Sequence, residues 1–299
     1  MSRPRVHLTA ALPAEVEEAL ATHFDLADVL EGADGVVSML TVKVDERFLE
    51  RAGSQLRVVA NYAVGVNNVD LAAAEAHRVV IANTPDVLTR ATAELAVGSM
   101  IALLRRIAEG DRFVRRRDPW SFSLEFMLGT SLQGKRLLVV GAGRIGRETA
   151  RLAEAFGAIP TFAGRGDDLH ALLAEADVVS LHVPLTDETR HLVDAEALAV
   201  MKPTAVLVNT ARGPVIDEEA LVRALESTSI GGAALDVYEH EPDVHERLLG
   251  LENVVLTPHL GSATRETRIA MGMLCVEALR AVLLESRRPA NAVVYPAAP

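Results

Sequence analysis

The stretch RLLVVGAGRIGRETARLAEAFG, residues 136–157, carries the clearest fold signal in the chain. An apolar run is followed at once by GAGRIG and then by residues at helical spacing. In a strand–turn–helix of this kind, the first glycine permits the tight turn, the second lets the backbone approach a pyrophosphate, and the third lets the helix pack close to the strand. We therefore predict a phosphate-binding turn for a dinucleotide, with an ordinary glycine-rich turn as the alternative. Its cofactor-binding residues would be Gly141, Gly143, Arg144, Ile145 and Gly146.

The segment that follows this turn is predicted to be an amphipathic helix. Ile145, Thr149, Leu152 and Phe156 recur at helical spacing, so we expect this face to pack on the sheet.

The rest of the chain alternates short Val/Leu/Ile runs with helical segments, which predicts parallel sheets with helices on both faces. A polar and aromatic stretch after Arg115 interrupts the alternation, so we predict two α/β units, each a doubly wound sheet. Strands are predicted at 5–9, 36–40, 57–61, 79–83, 136–140, 159–162, 177–183, 204–209, 231–235 and 253–257. Helices are predicted near 13–22, 45–52 and 70–77, with one long helix at 92–115 and a final helix at 264–285.

Composition narrows the range of partners. The 299-residue chain has a formal charge of −11, which argues against nucleic acid or an anionic membrane as the main partner. Its single cysteine, Cys275, lies in an apolar helical run without metal-ligand spacing, so we expect a buried thiol and no metal site. No stretch of about 18 apolar residues occurs, and the N-terminus lacks a signal-peptide pattern, so we predict a cytoplasmic protein.

The stretch FAGRGDD, residues 162–168, bears on which cofactor is bound. A turn that binds NAD usually has an Asp or Glu about 20 residues on, at the end of the second strand. Here that place holds Gly164, which removes the repulsion of a 2′-phosphate, and Arg165 follows as a planar donor. We predict a preference for NADP(H), with NAD(H) possible. In the alternative, Arg165 is merely solvated and Asp167 or Asp168 binds the ribose.

Three later stretches place a reactive side chain just beyond a predicted strand. Arg212 follows VLVN, Glu241 follows GAAL, and His259 follows NVVL. Ligands of open α/β sheets bind beyond the carboxyl ends of the strands, so we expect these side chains to face one crevice. Each also has a simpler explanation, since Arg212 could pair with Asp217, Glu241 could be a solvated turn residue, and His259 could be an ordinary loop histidine.

Together these residues suit the reduction of a 2-oxo acid. His259 can protonate the developing alkoxide, and Glu241 can hold the imidazole so that it stays protonated near neutrality. Arg212 can bind the substrate carboxylate and polarise the carbonyl. The backbone N–H groups of Val64 and Gly65, after a strand of the first unit, are predicted to meet the same carboxylate from the opposite side.

With these motifs in view, the chain resembles the D-2-hydroxyacid dehydrogenase family, and most closely its glyoxylate/hydroxypyruvate reductase branch. The resemblance covers nearly the whole chain. It rests on the order and spacing of NYAVGVNNVD, NTPDVLTRATAEL, LQGKRLLVVGAGRIG, LHVPLTDETRHLV, MKPTAVLVNTARGPVIDEEAL, GAALDVYEHEP and TPHLGSAT.

The resemblance implies two doubly wound parallel-sheet domains. A flavodoxin-like substrate domain, residues 1–92 and 265–299, would enclose a Rossmann dinucleotide-binding domain at 93–264. It implies Arg212, Glu241 and His259 as the catalytic set and a homodimer that uses the 112–130 segment. Asp236 would hold the nicotinamide carboxamide. The further cofactor-binding residues that it implies are Thr92, His182, Pro184, Thr189, Thr210, His259 and Gly261.

We therefore expect an NADPH-dependent reductase of glyoxylate or hydroxypyruvate. An NAD-dependent enzyme of the D-lactate or D-3-phosphoglycerate type is the alternative within the same class. An alternative of another class is a dinucleotide-sensing interaction module like the C-terminal-binding corepressors, which resemble this chain in fold.

Overall fold

Short, mostly apolar strands alternate with helices through residues 3–296, which are the residues that this computed structural model describes. The described chain contains twelve strands. In chain order they are β1 Arg5–Leu8, β2 Asp25–Ala27, β3 Gly35–Ser38, β4 Val58–Asn61, β5 Val80–Ala82, β6 Arg136–Val140, β7 Ile159–Ala163, β8 Val178–Leu181, β9 Val206–Asn209, β10 Gly232–Leu235, β11 Val254–Leu256 and β12 Ala292–Val294.

Five helices of the described chain begin at an aspartate cap. Each of these aspartates precedes its helix and accepts the N–H of the third residue after it; they are Asp45, Asp70, Asp168, Asp194 and Asp217.

None of the helices in residues 3–296 has the length and apolar character that a membrane crossing needs. The helices are α1 Ala14–His23, α2 Glu46–Ala52, α3 Leu71–Ala76, α4 Thr89–Leu104, α5 Ile107–Arg115, α6 Arg144–Glu154, α7 Leu169–Glu175, α8 Ala195–Val200, α9 Glu218–Glu226, α10 Glu246–Leu249 and α11 Arg265–Leu283.

The chain divides into two compact units. Unit 1 contains the chain up to Leu88 and from Ala263 onward, and unit 2 is Thr89–Ser262. The first two and the last three residues of the predicted substrate domain lie outside the described residues.

Unit 1 is built on a six-stranded sheet in the order β12-β5-β4-β3-β1-β2. Its first five strands are parallel in the 2-1-3-4-5 order of flavodoxin-like folds, as the resemblance implied. Two edge strands were missed in the sequence. They are β2 and β12, and β12 pairs antiparallel with β5. Cys275 in α11 is buried, as predicted.

Unit 2 is built on a fully parallel six-stranded sheet in the order β11-β10-β9-β8-β6-β7. The chain reverses its direction of travel across the sheet at β6, which lies between β7 and β8. In doubly wound sheets this switch point opens a crevice beyond the carboxyl ends of the strands. The predicted fold class, two doubly wound α/β sheets, is confirmed.

The predicted packing face of the helix after the glycine turn is correct in part: Thr149 is buried and Leu152 packs against the core, but Phe156 does not. Gly146, Thr149, Ala150 and Ala153 form the buried side of α6, whereas Phe156 lies beyond the helix end and is 55% exposed. Ala150 and Ala153 pack in one cluster with residues of β6 and α4. Small side chains permit this close approach, so the helix turns its smallest residues inward and leaves the larger ones at the margin.

The predicted long helix at 92–115 is two helices, α4 and α5. Arg106 has φ +54°, a left-handed conformation that ends α4. The carbonyl of Leu104 accepts the N–H of Thr130 instead of continuing the helix. A hydrogen bond from a residue distant in sequence therefore ends the helix, at a place where the sequence contains neither glycine nor proline.

Candidate active site

His259 and Glu241 are in direct contact in unit 2. The Nδ1 atom of His259 lies 2.9 Å from Oε2 of Glu241, and Oε1 of Glu241 accepts the N–H of Tyr238 at 3.1 Å. Burial raises the pKa of Glu241, but the hydrogen bond and charge of His259, with smaller help from Tyr238 and Arg212, outweigh it and hold that pKa below its ordinary value. Glu241 is therefore an ionised carboxylate that orients the imidazole at neutral pH.

The backbone of His259 is held in an unusual conformation. Its φ is +55°, in the left-handed region that costs energy for a residue other than glycine. Its N–H donates to the carbonyl of Asp236 at 2.9 Å and to that of Thr257 at 3.1 Å. The next two N–H groups, of Leu260 and Gly261, donate to the buried carboxylate of Asp236 at 2.7 and 2.8 Å. Asp236 thus shapes the loop that carries the imidazole.

Arg212 lies in the loop after β9, against the loop after β10. A Cβ atom on Gly213 would lie only 1.8 Å from the carbonyl oxygen of Tyr238, so only glycine permits this approach. The buried side chain of Asn209 shapes the loop by accepting the N–H of Ala211 at 3.0 Å and donating to the carbonyl of Arg212 at 2.9 Å.

The charge of Arg212 acts directly on this site. Burial lowers the pKa of its guanidinium, while the carboxylate of Glu241 opposes that effect. An arginine nevertheless stays protonated in proteins. Within residues 3–296 Arg212 forms no ion pair, and Asp217, its alternative partner in the sequence, caps α9. The guanidinium is therefore a cation next to the His259–Glu241 pair without a carboxylate of its own.

The glycine turn after β6 has the geometry that its sequence predicts. Gly141 has φ +103°, and a Cβ there would lie 2.7 Å from the carbonyl oxygen of His182. A Cβ on Gly146 would lie 2.1 Å from the carbonyl oxygen of Gly141. A Cβ on Gly143 would meet no protein atom within 4 Å, because this residue borders open space at the N-terminus of α6. Gly141 and Gly146 are therefore required by the fold, whereas Gly143 leaves room for a ligand.

Gly164 and Arg165 lie where the second strand of unit 2 ends. Both residues are exposed. The N–H of Gly164 donates to the carboxylate of Asp167 at 2.8 Å, and Asp168 caps α7. Both carboxylates that were alternative ribose ligands therefore accept backbone N–H groups.

The remaining predicted cofactor residues are also at the carboxyl side of the sheet of unit 2. Thr92 donates to the carbonyl of Gly261 at 3.0 Å, and Thr189 donates to that of Pro184 at 2.6 Å. Arg144 is the exposed first residue of α6, and Ile145, which follows it, is half-buried.

Two further side chains bear on how well a nicotinamide dinucleotide fits. His182 lies 2.9 Å from the hydroxyl of Ser180 through Nε2, and burial lowers its pKa to about 4, so it is neutral at physiological pH. The hydroxyl of Thr210 is buried and has no hydrogen-bond partner within residues 3–296. Buried hydroxyls rarely lack a partner, so Thr210 fits a ligand that supplies one. With the space at Gly143, these residues fit the cofactor.

The predicted substrate-binding residues Val64 and Gly65 lie in unit 1, after β4. Their carbonyl groups accept hydrogen bonds from the side chains of Asn83 and Asn61, at 2.8 and 3.0 Å. Neither asparagine was identified in the sequence, nor was Asn209. An Asn next to a strand end is typical of local side-chain-to-backbone bonding, and that was the available signal. Within residues 3–296, no group of His, Cys, Asp and Glu side chains is arranged to hold a metal ion.

A family model described as "D-isomer specific 2-hydroxyacid dehydrogenase, NAD binding domain" matches residues 97–261. The chain belongs to the D-isomer-specific 2-hydroxyacid dehydrogenase family. It is therefore an oxidoreductase, as predicted.

Relatives within this family agree over most of the chain. A glyoxylate reductase of Pyrococcus furiosus is 40% identical, with 91% of this chain and 90% of that protein covered. A glyoxylate reductase of Thermococcus litoralis is 42% identical, with 85% and 82% covered. Among solved structures, the NADPH-dependent glyoxylate/hydroxypyruvate reductase of Sinorhizobium meliloti, in complex with NADP and malonate, is 32% identical with a TM-score of 0.85 and 98% of both chains covered. The predicted resemblance to the glyoxylate reductase branch is confirmed.

Proposed function

We propose that this dehydrogenase reduces a small 2-oxo acid of the glyoxylate or hydroxypyruvate type to the 2-hydroxy acid, with NADPH as the preferred reductant. The observation that carries the proposal is the 2.9 Å contact between His259 Nδ1 and Glu241 Oε2, within the influence of the Arg212 cation. The names of the relatives, glyoxylate reductases at about 40% identity, support the substrate class.

Each side chain has a distinct task in this reaction. The bound cofactor supplies a hydride. Because Glu241 occupies Nδ1 of His259, the Nε2 atom is left to donate a proton to the substrate oxygen as negative charge develops on it. Arg212 binds the substrate carboxylate through its planar fork of N–H groups and stabilises the developing charge. The N–H groups of Val64 and Gly65 are proposed as further donors to the substrate carboxylate.

A kinetic panel tests the activity. Wild-type protein should oxidise NADPH when glyoxylate or hydroxypyruvate is added, and His259→Ala should lower kcat by about 10²-fold or more. His245→Ala is a matched control, since His245 also contacts a glutamate, Glu219, at 3.1 Å, and it should keep wild-type turnover. Absence of turnover with every small 2-oxo acid would refute the proposal.

Other outcomes of the panel favour the alternatives. Turnover confined to NAD(H) with D-lactate or D-3-phosphoglycerate would favour an enzyme of those types. Negligible turnover, together with a protein partner whose binding changes with NADPH, would favour a dinucleotide-sensing interaction module.

The proposed preference for NADPH rests on Gly164 and Arg165. Glycine places no carboxylate at the strand end, and the arginine is exposed and able to meet a 2′-phosphate. The hydrogen bonds of Asp167 and Asp168 to backbone N–H groups support this assignment, since both carboxylates already have partners.

A double variant tests the preference. Gly164→Asp combined with Arg165→Ala should lower the NADPH/NADH ratio of kcat/KM by about tenfold or more, because a charge-assisted hydrogen bond is lost and a repulsive carboxylate is added. Arg223→Ala, which removes an exposed arginine of α9, should leave the ratio unchanged. An unchanged ratio in the double variant would contradict the role of Arg165.

We further propose a homodimer in which the 112–130 segment takes part. Three large apolar side chains of this segment are strongly exposed: Trp120 (60%), Phe122 (85%) and Leu124 (84%). Adjacent exposed apolar residues of this size mark an interaction surface. Phe122→Asp with Leu124→Asp should halve the mass measured by light scattering, whereas Phe156→Asp should not. A wild-type monomer at micromolar concentration would refute the dimer. The cytoplasmic location stays a prediction.

A further inference from the structure

The loop after β4 is held through three consecutive carbonyl groups, those of residues 63–65. The first accepts the N–H of Thr84 at 2.9 Å, the second the side-chain amide of Asn83 at 2.8 Å, and the third that of Asn61 at 3.0 Å. All of these donors belong to unit 1. Each of these three peptide oxygens therefore has a hydrogen-bond donor within unit 1.

The N–H groups of the same three peptide units point away from these donors. The cis peptide bond of the described chain is Glu241–Pro242, so the three peptide units of the loop are trans and planar. In such a unit the N–H points away from the C=O. Anchoring the carbonyls of residues 63–65 therefore directs each N–H of residues 64–66 away from the donor that holds the carbonyl of its own peptide unit. Within residues 3–296, none of these three N–H groups donates to a backbone carbonyl.

The two asparagines are themselves held in place. Asn61 is buried at the end of β4, and its side-chain oxygen accepts the amide of Asn68 at 3.0 Å. The same Asn68 amide donates to the carbonyl of Val42 at 3.0 Å. Asn83 is fixed through its backbone, since its N–H donates to the carbonyl of Asn291 at 3.2 Å and its carbonyl accepts the Asn291 amide at 2.6 Å. The Asn61 amide therefore cannot rotate without breaking its bond to Asn68, and the backbone bonds of Asn83 fix the point from which its side chain extends.

We propose that Asn61 and Asn83 are positioning residues that aim the N–H groups of residues 64–66 at a small carboxylate anion. The identity of that anion as the substrate rests on the proposed function. The asparagines do not touch the anion, because their amides donate to the carbonyl groups of Val64 and Gly65. The two asparagines set the direction of the N–H groups of residues 64–66 before the anion binds. The loop therefore loses little conformational entropy when the anion binds.

The test replaces each amide by a carboxylate of the same shape. Asn83→Asp and Asn61→Asp remove the donor and place negative charge against a carbonyl oxygen. The peptide unit of that carbonyl should therefore reorient, and its N–H should no longer point toward the bound anion. We expect KM for the 2-oxo acid to rise by about tenfold or more in each variant, the effect of losing one charge-assisted hydrogen bond. We expect kcat within about twofold and KM for NADPH unchanged, because an interaction with the substrate carboxylate contributes equally before and during the chemical step.

The control is Asn253→Asp in unit 2, where the side-chain amide donates to the carbonyl of Leu225 at 3.3 Å. It makes the same chemical change outside the loop and should leave KM for the 2-oxo acid unchanged. A purely structural role for the two loop asparagines would lower the melting temperature and the active fraction, hence kcat, without a selective rise in this KM. If the aspartate variants fail to fold, Asn83→Ala removes the same donor without adding charge.

A binding measurement separates this inference from the proposed activity. Calorimetry with oxamate, an unreactive 2-oxo acid analogue, and NADPH reports on anion binding without turnover. If wild type binds oxamate, the Asn83 and Asn61 variants should bind it about tenfold more weakly, and this would support the positioning role even if no 2-oxo acid were turned over. Variants with wild-type oxamate affinity and KM would overturn the positioning role while leaving the activity intact. Failure of wild type to bind oxamate would overturn it as well.

Discussion

Two glycines of the same turn should respond in opposite ways to one added methyl group. Gly141→Ala places a Cβ 2.7 Å from the carbonyl oxygen of His182, at a residue with φ +103°. Gly143→Ala places a Cβ where no protein atom lies within 4 Å, at φ −71° and ψ −174°, which alanine adopts without strain. The first variant should therefore damage folding, and the second should damage only the binding of a ligand.

The magnitudes follow from these contacts. For Gly141→Ala, backbone strain and overpacking together cost roughly 2–5 kcal/mol, which lowers the melting temperature by roughly 5–15 °C for a unit of this size. For Gly143→Ala, stability should be unchanged or up to about 1 kcal/mol higher, because alanine restricts the unfolded chain. The new methyl group would lie between the backbone and the cofactor diphosphate, so the Kd for NADPH should rise by about tenfold or more.

Thermal melting and a fluorescence titration with NADPH separate the two effects. Gly98→Ala in α4 is the matched control, since a Cβ there also meets no atom within 4 Å, and its affinity for NADPH should equal that of wild type. If Gly143→Ala bound NADPH and NADH within about twofold of wild type, the backbone at Gly143 would not be where the diphosphate approaches, and the reasoning from the turn would fail.

Three other changes have defined outcomes. Glu241→Gln should lower the melting temperature near pH 7, and the difference from wild type should shrink as the pH falls below 4.5. The pKa of Glu241 is lowered in the folded state, so its carboxylate stabilises the fold only while it is ionised. A constant difference in melting temperature down to pH 3 would contradict this reasoning. Thr228→Gly should raise the melting temperature by roughly 2–4 °C, because Thr228 follows α9 with φ +53°, a left-handed conformation that glycine adopts without strain. An unchanged melting temperature would argue against backbone strain at Thr228. Asp236→Asn should lower the melting temperature by roughly 5–10 °C and reduce kcat, because one of the two oxygens that accept N–H groups of the His259 loop becomes an amide donor. A wild-type kcat would show that the loop keeps its conformation without this bond.

The sequence was sufficient where the signal is local. Gly141 and Gly146 are predictable because each meets one backbone requirement of the turn. Parallel strands bring their carboxyl ends to one edge, which places the loops of Arg212, Glu241 and His259 there, while the tasks of these residues stay predictions. Most strands were also placed within one or two residues, since buried parallel strands are continuous apolar runs.

The features that were missed depend on contacts distant in sequence. The helix breaks between α4 and α5 because the N–H of Thr130 donates to the carbonyl of Leu104, and no residue near Arg106 in the sequence signals this break. The predicted inward face of α6 included Phe156 because periodicity favours large side chains, and it missed Ala150 and Ala153, which pack closely against the core. The proposed role of Asn83 depends on its hydrogen bond to the carbonyl of Val64, which is distant from it in the sequence.

The path of the chain through its two units sets the order in which they can be completed on the ribosome. The first sheet receives five strands from residues before Leu88, but its sixth strand, β12, comes from the far end of the chain. So does α11, whose Leu279 and Leu283 cover β3 at Gly35. All of unit 2 is translated in between, and at about 5–20 residues per second this takes roughly 10–35 s. While unit 2 is translated, the apolar sheet of unit 1 therefore lacks β12 and its cover by α11, and that interval is when a chaperone would be needed.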